Sequence, residues 1–239
     1  MWVQRSYCIA MFVRLLPLIA ALAPILGANL AYWLGVRADV LPSCIQYFDG
    51  CTSISAAGRY PPGSYLFRAV HLPYAALLSV VWYFNYLWLT AVEGQAHRLR
   101  RRVMFGFGLV GSLALIVYVT FLGTSEPIYE FMRRGGIYFY FLSTAIAQVA
   151  TTLALLHIDK RVFAWMLVTS LLPFALGIDN LVQKEVLPFE IADLVENQIE
   201  WIAALTMHVW FIVLYAAWRR QGFEVSVTAT KTDRTSATR

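Results

Sequence analysis

Three of the ionisable side chains inside apolar stretches of this chain have types that suit anion binding and proton transfer. Arg68 and His71 are three residues apart near the start of one apolar stretch, and Glu200 stands near the start of another. An arginine can hold a phosphate through two parallel hydrogen bonds, and a desolvated glutamate or histidine can act in acid–base chemistry. A charge inside a membrane is costly and tends to persist where a partner or a ligand holds it.

Two interpretations of these three residues stay open. Arg68 and Glu200 each fall roughly 5–8 Å below the start of their stretch, so we expect them to lie at similar depth. They could form a buried ion pair that only fixes two helices. Alternatively, they line a polar pocket in which Arg68 binds a phosphate and Glu200 or His71 moves protons, with Asn197 one turn before Glu200 on the same stripe.

The elements that must position these residues are membrane helices. Of the 239 residues, 59% are hydrophobic and only 14% are charged, whereas an average soluble domain is about 25% charged. We predict an all-α, polytopic membrane protein whose domain of six transmembrane helices occupies residues 1–218. Each apolar stretch is close to the roughly 20 residues that cross a bilayer, and the six are 12–34, 66–91, 103–122, 137–157, 162–182 and 195–218.

The first stretch has two interpretations of its own. It is N-terminal and flanked by Arg5 and Arg14, as the core of a cleaved signal peptide would be. It is, however, longer than the usual signal core and lacks a good cleavage site near Ala28, so we expect a retained helix.

The basic residues predict the orientation. Most of the 19 lysines and arginines fall at the ends and loops that share one side if both termini are cytoplasmic. The run from Arg98 to Arg102 is expected to attract anionic lipid headgroups on that side. The net charge of +5 is then a topology signal, and no nucleic-acid partner is expected. Residues 219–239 are predicted to form a disordered basic cytoplasmic tail.

The longest connection, residues 35–65, lies on the non-cytoplasmic side in this orientation. It is rich in proline and glycine, which argues against regular structure, yet it is too apolar for a solvated linker. We therefore expect it to fold over the mouth of the bundle as a lid. Cys44 and Cys51 lie seven apart in it and could form a disulfide in an oxidising compartment, or remain unpaired.

The usual enzyme motifs are missing from the sequence. HExxH, GxSxG, a Walker loop and a CxxC pair are all absent, so we expect no metal and no cofactor. Polar residues deeper in the helices are expected to hydrogen-bond between helices, and His208 is expected to be a satisfied core histidine.

Two segments resemble a known family. Residues 53–68, which run from Ser53-Ile54-Ser55-Ala56-Ala57-Gly58 through Pro61 to Phe67-Arg68, are similar to the first luminal loop of the Frag/DRAM/Sfk membrane family. Glu200-Trp201, with Thr206 after it, is similar to that family's Glu-aromatic motif. The resemblance implies a six-helix membrane protein, related to the branch that remodels the lipid of glycolipid (GPI) anchors. Gln148 departs from that branch, in which a histidine is expected.

The resulting hypothesis is a membrane protein that binds or acts on a phospholipid or glycolipid in the non-cytoplasmic leaflet, with acyl-chain exchange by an acyltransferase or hydrolase as its leading activity. Arg68 would hold the phosphate, and Glu200 would act with His71. Ser53, Ser55 and Arg59 would lie near the headgroup.

Two other functions stay open: a non-enzymatic lipid-binding or regulatory protein of the autophagy-modulator type, and a small-solute or proton transporter. The membrane would be the plasma (inner) membrane in a prokaryote and the Golgi or ER membrane in a eukaryote. The lipid, the acyl donor, the oligomeric state and the presence of turnover stay open as well.

Overall fold

Six long helices and two short ones form the structure. The computed structural model describes the backbone of residues 2–225 and the side chains of residues 12–225. The helices are α1 (Trp2–Arg37), α2 (Gln46–Asp49), α3 (Ile54–Ala57), α4 (Gly63–Glu93), α5 (Arg98–Phe121), α6 (Pro127–Leu155), α7 (Lys160–Val186) and α8 (Phe189–Arg220).

The six long helices are the predicted membrane helices. Each contains a window that is apolar enough to cross a bilayer, and for α1 the described span is Phe12–Arg37. At 1.5 Å per residue, helices of this length reach roughly 36–54 Å, which exceeds the hydrocarbon core of about 30 Å. The all-α, multi-pass prediction is confirmed. The side of the membrane on which the termini lie stays a prediction.

The long helices contact one another in a ring. α1 packs on α4, and the ring continues through α5, α6 and α7 to α8, which closes it by packing on α1. Short connections hold this order, the shortest being Leu187–Pro188 between α7 and α8. Close packing is helped by Gly136, where an added Cβ would lie 2.8 Å from the Tyr118 amide of α5. The ring encloses one interior, whose two halves differ.

The half of the interior that ends near the Arg98–Arg102 run is filled with large side chains. Trp82, Trp210 and Phe211 pack against one another in tilted and edge-to-face arrangements with ring centroids 5.2–5.8 Å apart, and Trp88 packs on Trp218. We call this the packed half, defined by these five aromatic residues. All five are 1% exposed or less.

Several polar groups in the packed half are paired between helices, whereas the buried indole nitrogens of Trp82, Trp88 and Trp218 have no hydrogen-bond partner among the described residues. The Asn85 amide donates to the Thr151 hydroxyl at 2.8 Å, and the Trp210 indole donates to the Thr152 hydroxyl at 3.1 Å. The Gln148 amide donates to the Met207 carbonyl at 2.8 Å. The position where a histidine was expected therefore links α6 to α8. Lipid tails are as apolar as the side chains of the helices, so apolar contacts give little driving force for helix association. Interhelical hydrogen bonds such as these help to determine which helices associate.

The connection between α1 and α4 contains regular structure that the proline and glycine content did not predict. Gly50 follows the last residue of α2, and its φ of +62° is a left-handed conformation that favours glycine. Ser53 caps the start of α3, because its hydroxyl oxygen accepts a hydrogen bond from the Ala56 amide at 3.0 Å. A disulfide joins Cys44 to Cys51 across α2, with Cα atoms 6.5 Å apart.

The start of the predicted tail is helical. α8 continues to Arg220, two residues past the predicted boundary, and Phe223 then folds back onto Trp218. The Arg14 guanidinium donates to the Phe223 carbonyl at 2.9 Å and pairs with Glu224. Residues 226–239 of the predicted tail lie outside the described residues.

Candidate functional site

The other half of the interior, beneath α2 and α3, contains a cavity. The empty space in it is about 540 Å³, counted with the part that opens to the outside. We call this the loop-end cavity. Its walls come from all the long helices except α7, together with Tyr47 and Ile54 of the α1–α4 connection, and most of its lining side chains are apolar, including Pro24, Ile25, Ala28, Phe67, Leu115, Ile137, Phe141, Trp201, Ala204 and Leu205.

Glu200 is the acidic group of this cavity. Its Oε1 accepts hydrogen bonds from the Ser55 amide at 3.3 Å and from the Ser55 hydroxyl at 3.4 Å. The same hydroxyl shares a hydrogen bond of 3.0 Å with the phenol of Tyr118. The structure thus brings Ser55 and Glu200, both expected from the sequence, into one cluster with Tyr118. We call Ser55, Tyr118 and Glu200 the carboxylate cluster.

Two histidines line the cavity in matching ways. The Nδ1 atom of His71 is 2.8 Å from the Phe67 carbonyl, and that of His208 is 2.6 Å from the Ala204 carbonyl, in both cases four residues earlier on the same helix. These carbonyls favour a proton on Nδ1, which leaves Nε2 as an acceptor. The His208 Nε2 is 3.3 Å from the Tyr140 hydroxyl. His71 stacks on Phe67 and makes no second hydrogen bond among the described residues.

His208 is thus a cavity residue, although the sequence suggested only a satisfied core histidine. Tyr118, Tyr140 and Asn29 are further cavity residues that sequence reasoning missed. Aromatic side chains are too common in this chain to single out two tyrosines. Asn29 had one usable signal, because an amide inside an apolar stretch is costly unless a partner or ligand holds it.

Residues 44–58, which include α2 and α3, form the roof of the cavity. This roof is attached to α1 through Asn29. The Asn29 amide donates to the Tyr47 hydroxyl at 2.9 Å and accepts from the Gln46 amide at 2.8 Å. The Tyr32 hydroxyl accepts from the Cys44 amide at 2.9 Å, so the disulfide-bonded segment is attached there as well. One helix therefore holds both the start and the middle of the roof.

The roof is also attached to α8. The Asn197 amide donates to the Gly50 carbonyl at 2.9 Å, and the Trp201 indole donates to the Thr52 carbonyl at 2.9 Å. The structure places Asn197 in this attachment, whereas the Ser53 hydroxyl caps α3. Neither residue lines the cavity, although both were expected near a bound headgroup.

Arg68 does not pair with Glu200. Among the ion pairs of the described side chains none joins these two residues, and the Arg68 guanidinium donates instead to the Leu122 carbonyl at the end of α5. A cation at a helix C-terminus is favourable because it faces the negative end of the helix dipole. α8 begins at Phe189, six residues before the predicted boundary, so Glu200 lies eleven residues after the helix start and not about five.

Arg59 and Arg68 converge on Gly123, just after α5. A Cβ added at Gly123 would lie 3.6 Å from the Arg59 Cγ and 3.6 Å from the Arg68 Nη2. Both arginines are half-buried, and Gly123 is exposed. The Arg59 Nε is buried and has no hydrogen-bond partner among the described residues. Two cationic side chains therefore lie close together at the rim of the loop end, near the carboxylate cluster.

The arrangement combines an apolar chamber with a few polar groups inside it and two cations at its rim. Such a chamber suits a ligand that is mostly hydrocarbon, and the inner groups suit proton transfer. The described residues contain no group of three or more histidine, cysteine, aspartate or glutamate residues that could hold a metal ion.

Comparison with known proteins agrees with this architecture. Residues 12–182 match the family model described as the Frag1/DRAM/Sfk1/Cwh43P N-terminal domain. The match covers the described span of α1 and continues into α7, so it contains His71 and the carboxylate cluster except for Glu200. Neither the curated proteins nor the solved structures gave a match. Because the family model covers well over half of the chain, the protein is an integral multi-pass membrane protein that belongs to the Frag1/DRAM/Sfk1/Cwh43P N-terminal domain family.

Proposed function

We propose that the protein binds a phospholipid or glycolipid so that one of its acyl chains lies in the loop-end cavity. We further propose that the protein exchanges an acyl chain on this lipid. The observation that carries this proposal is the cavity itself: an apolar chamber inside a membrane bundle that contains a carboxylate and two histidines. An apolar space that opens to the outside of a membrane bundle can admit a hydrocarbon chain. The family membership of the chain is consistent with a lipid ligand.

The headgroup of this lipid would lie at the rim. Arg59 and Arg68 flank exposed Gly123, and guanidinium groups bind phosphate with two hydrogen bonds each. Arg68 would then serve both the phosphate and the end of α5, since only part of its guanidinium is used by Leu122. The distribution of lysine and arginine predicts that this rim faces the non-cytoplasmic leaflet.

Glu200 would be the proton carrier in an exchange. A free hydroxyl of a lyso-lipid attacks the ester carbonyl of a donor phospholipid, so one ester bond forms and one breaks. Glu200 takes the proton of the attacking hydroxyl and returns it to the leaving oxygen of the donor. The Ser55 amide and hydroxyl hold the carboxylate, and His71 presents its unpaired Nε2 to the same chamber.

The experiment is an acyl-exchange assay on the full chain in nanodiscs, with a lyso-phospholipid acceptor and a phospholipid carrying isotopically labelled acyl chains. Glu200→Gln keeps the shape of the side chain and is expected to lower exchange by about 10²–10⁴-fold. Glu196→Gln is the matched control, because Glu196 is one turn away on the same helix and pairs with Lys184 outside the cavity. Exchange that survives Glu200→Gln unchanged would contradict the catalytic role.

A second candidate is a lipid-binding regulatory protein without turnover. The observation in its favour is that the polar groups of the cavity already have partners: the Glu200 carboxylate has Ser55, and both histidines have a backbone carbonyl. In this case Glu200→Gln would leave lipid binding intact and no exchange would occur in any variant. The two candidates thus differ in turnover and agree on the ligand.

A further inference from the structure

A second cavity lies at the opposite end of the bundle, where α4 ends and α5 begins. Its empty space is about 480 Å³, counted with the part that is open to the outside. In contrast to the loop-end cavity, its lining is mostly polar or charged: Tyr86, Thr90, Gly94, Gln95, Arg98, Arg101 and Arg102. We call it the arginine cavity.

The arginines of the Arg98–Arg102 run outnumber the carboxylates that pair with them. Among the described side chains, Glu93 is the one acidic group that pairs with the run, and it takes Arg100 and, at 3.1 Å, Arg101. Arg98 and Arg102 are exposed and have no ion-pair partner in the described part of the chain. A net positive charge therefore remains at the mouth of the cavity.

Arg101 marks the floor of the cavity. It is 2% exposed, and its guanidinium is held by Glu93 and by the Gly94 carbonyl at 2.8 Å. Its Nε–H is buried and lacks a hydrogen-bond partner in the described structure. Arg101 thus places a guanidinium beneath the cavity, with Glu93 neutralising part of its charge and one buried N–H donor left unused.

The start of α7 shows what is missing at the start of α5. Lys160 and Arg161 also place positive charge at a helix N-terminus, where the helix dipole disfavours it. There the Asp159 carboxylate caps the helix by accepting from the Arg161 amide at 3.1 Å and the Val162 amide at 3.2 Å. Helix α5 begins after His97, which provides no side-chain cap, and its first turn contains no acidic residue. The capping carboxylate that Asp159 provides to α7 is thus absent at the start of α5, where Glu93 pairs with arginine side chains instead.

We infer that the arginine cavity binds the phosphate of an anionic lipid headgroup, with Arg98 and Arg102 as its ligands and Arg101 as a fixed charge beneath it. The Tyr86 hydroxyl makes no hydrogen bond to another described group and adds a neutral donor at the wall. The lysine and arginine bias predicts the cytoplasmic leaflet for this end, where anionic lipids attract clustered basic residues. The site is separate from the proposed acyl exchange at the other end of the bundle.

The test uses native mass spectrometry of the full-length protein in detergent, titrated with three probes: dioleoyl phosphatidylglycerol, dioleoyl phosphatidylcholine and inorganic phosphate. Arg98→Gln with Arg102→Gln is expected to weaken phosphatidylglycerol binding by about tenfold or more. The matched control is Lys160→Gln with Arg161→Gln, which removes the same charge from the capped helix and should change binding by less than about threefold. Circular dichroism would confirm that both double variants remain helical.

The outcomes separate the sources of the anion. Preferential binding of phosphatidylglycerol that is lost only in the α5 variant supports the lipid site. Binding of inorganic phosphate to the same extent, lost in the same variant, supports the phosphate site and assigns it to a soluble ligand. Equal losses in the α5 and α7 variants, or equal binding of the zwitterionic and anionic lipids, would overturn the inference.

Discussion

The two halves of the bundle interior use the same helices and reach opposite results. In the packed half, α4 and α8 contribute Trp82, Trp88, Trp210, Phe211 and Trp218, and their rings fill the space. In the loop-end half, the same helices contribute side chains that surround a cavity. The difference lies in side-chain volume and polarity along each helix, because α4 and α8 contribute to both halves.

This comparison shows where stability and function are located. Tight aromatic packing and a few interhelical hydrogen bonds hold the ring together, because packing and hydrogen bonding are the main forces between helices in lipid. The loop-end half gives up that packing around Ala204 and Leu205 and is closed by a disulfide-bonded roof. The tight packing of the packed half stabilises the bundle, so the loop-end half can contain a cavity.

The largest expected effect comes from opening the packed half. Trp210→Ala should lower the free energy of unfolding by about 3–5 kcal/mol, because it leaves a hole among fully buried rings. Leu205→Ala, one and a half turns earlier at the cavity wall, should cost less than about 2 kcal/mol, since space is already present there. Thermal unfolding in detergent, followed by circular dichroism, compares the two variants. Equal losses would mean that the two halves are packed alike.

Removing the disulfide should affect the loop-end half alone. Cys44→Ala with Cys51→Ala releases a short loop and should lower the free energy of opening of the roof by about 2–3 kcal/mol. Hydrogen–deuterium exchange would show faster exchange in residues 44–58 and unchanged exchange near Trp88. Faster exchange throughout the bundle would contradict the view that the roof is a separate unit.

Enlarging an alanine in each half sharpens the comparison further. Ala217→Ile adds three carbon atoms beside Trp218 at a site that is 1% exposed, and should cost about 1–3 kcal/mol through overpacking. Ala204→Ile points the same atoms into the cavity and should cost less than about 0.5 kcal/mol. The difference in melting temperature between the two variants is the measurement. A large loss for Ala204→Ile would mean that the chamber is too small for the proposed ligand.

The smallest effect separates the two arginines at the rim. Arg68→Gln should lower the free energy of unfolding by about 1 kcal/mol, because it removes a charged hydrogen bond at the end of α5. Arg59→Gln should change it by less than about 0.5 kcal/mol, since its Nε has no described partner. Thermal unfolding without added lipid checks this order, and the reverse order would assign the structural role to Arg59.

Hydropathy was sufficient to predict the six membrane helices, but it did not give all their ends. Hydropathy missed the start of α8 at Phe189 because the apolar residues Phe189, Ile191 and Leu194 alternate with Glu190 and Asp193. The two acidic residues lower the mean hydropathy but do not interrupt the helix. The short helices α2 and α3 were missed because their stability depends on contacts with α1 and α8. Such contacts connect residues far apart in sequence and leave no local pattern.

The sequence predicted that the candidate residues lie near the same end of the bundle, but it did not predict the directions in which their side chains point. The sequence singled out Ser55, His71 and Glu200, and the structure places all three at the loop end. It also suggested that Arg68 meets Glu200, which is wrong. Residues three apart on a helix differ by about 60° in direction, so His71 faces the cavity while Arg68 reaches Leu122. The rotation of each helix about its axis is set by packing, which a single sequence does not reveal.

The central claim, that the loop-end cavity holds a lipid, is tested most directly by native mass spectrometry of the gently purified full-length protein. The account predicts one enriched phospholipid or glycolipid on the unmodified protein and on Ala217→Ile, and about a tenfold lower occupancy on Ala204→Ile, whose added atoms fill the chamber. The absence of any enriched lipid, or equal occupancy in the two variants, would contradict it.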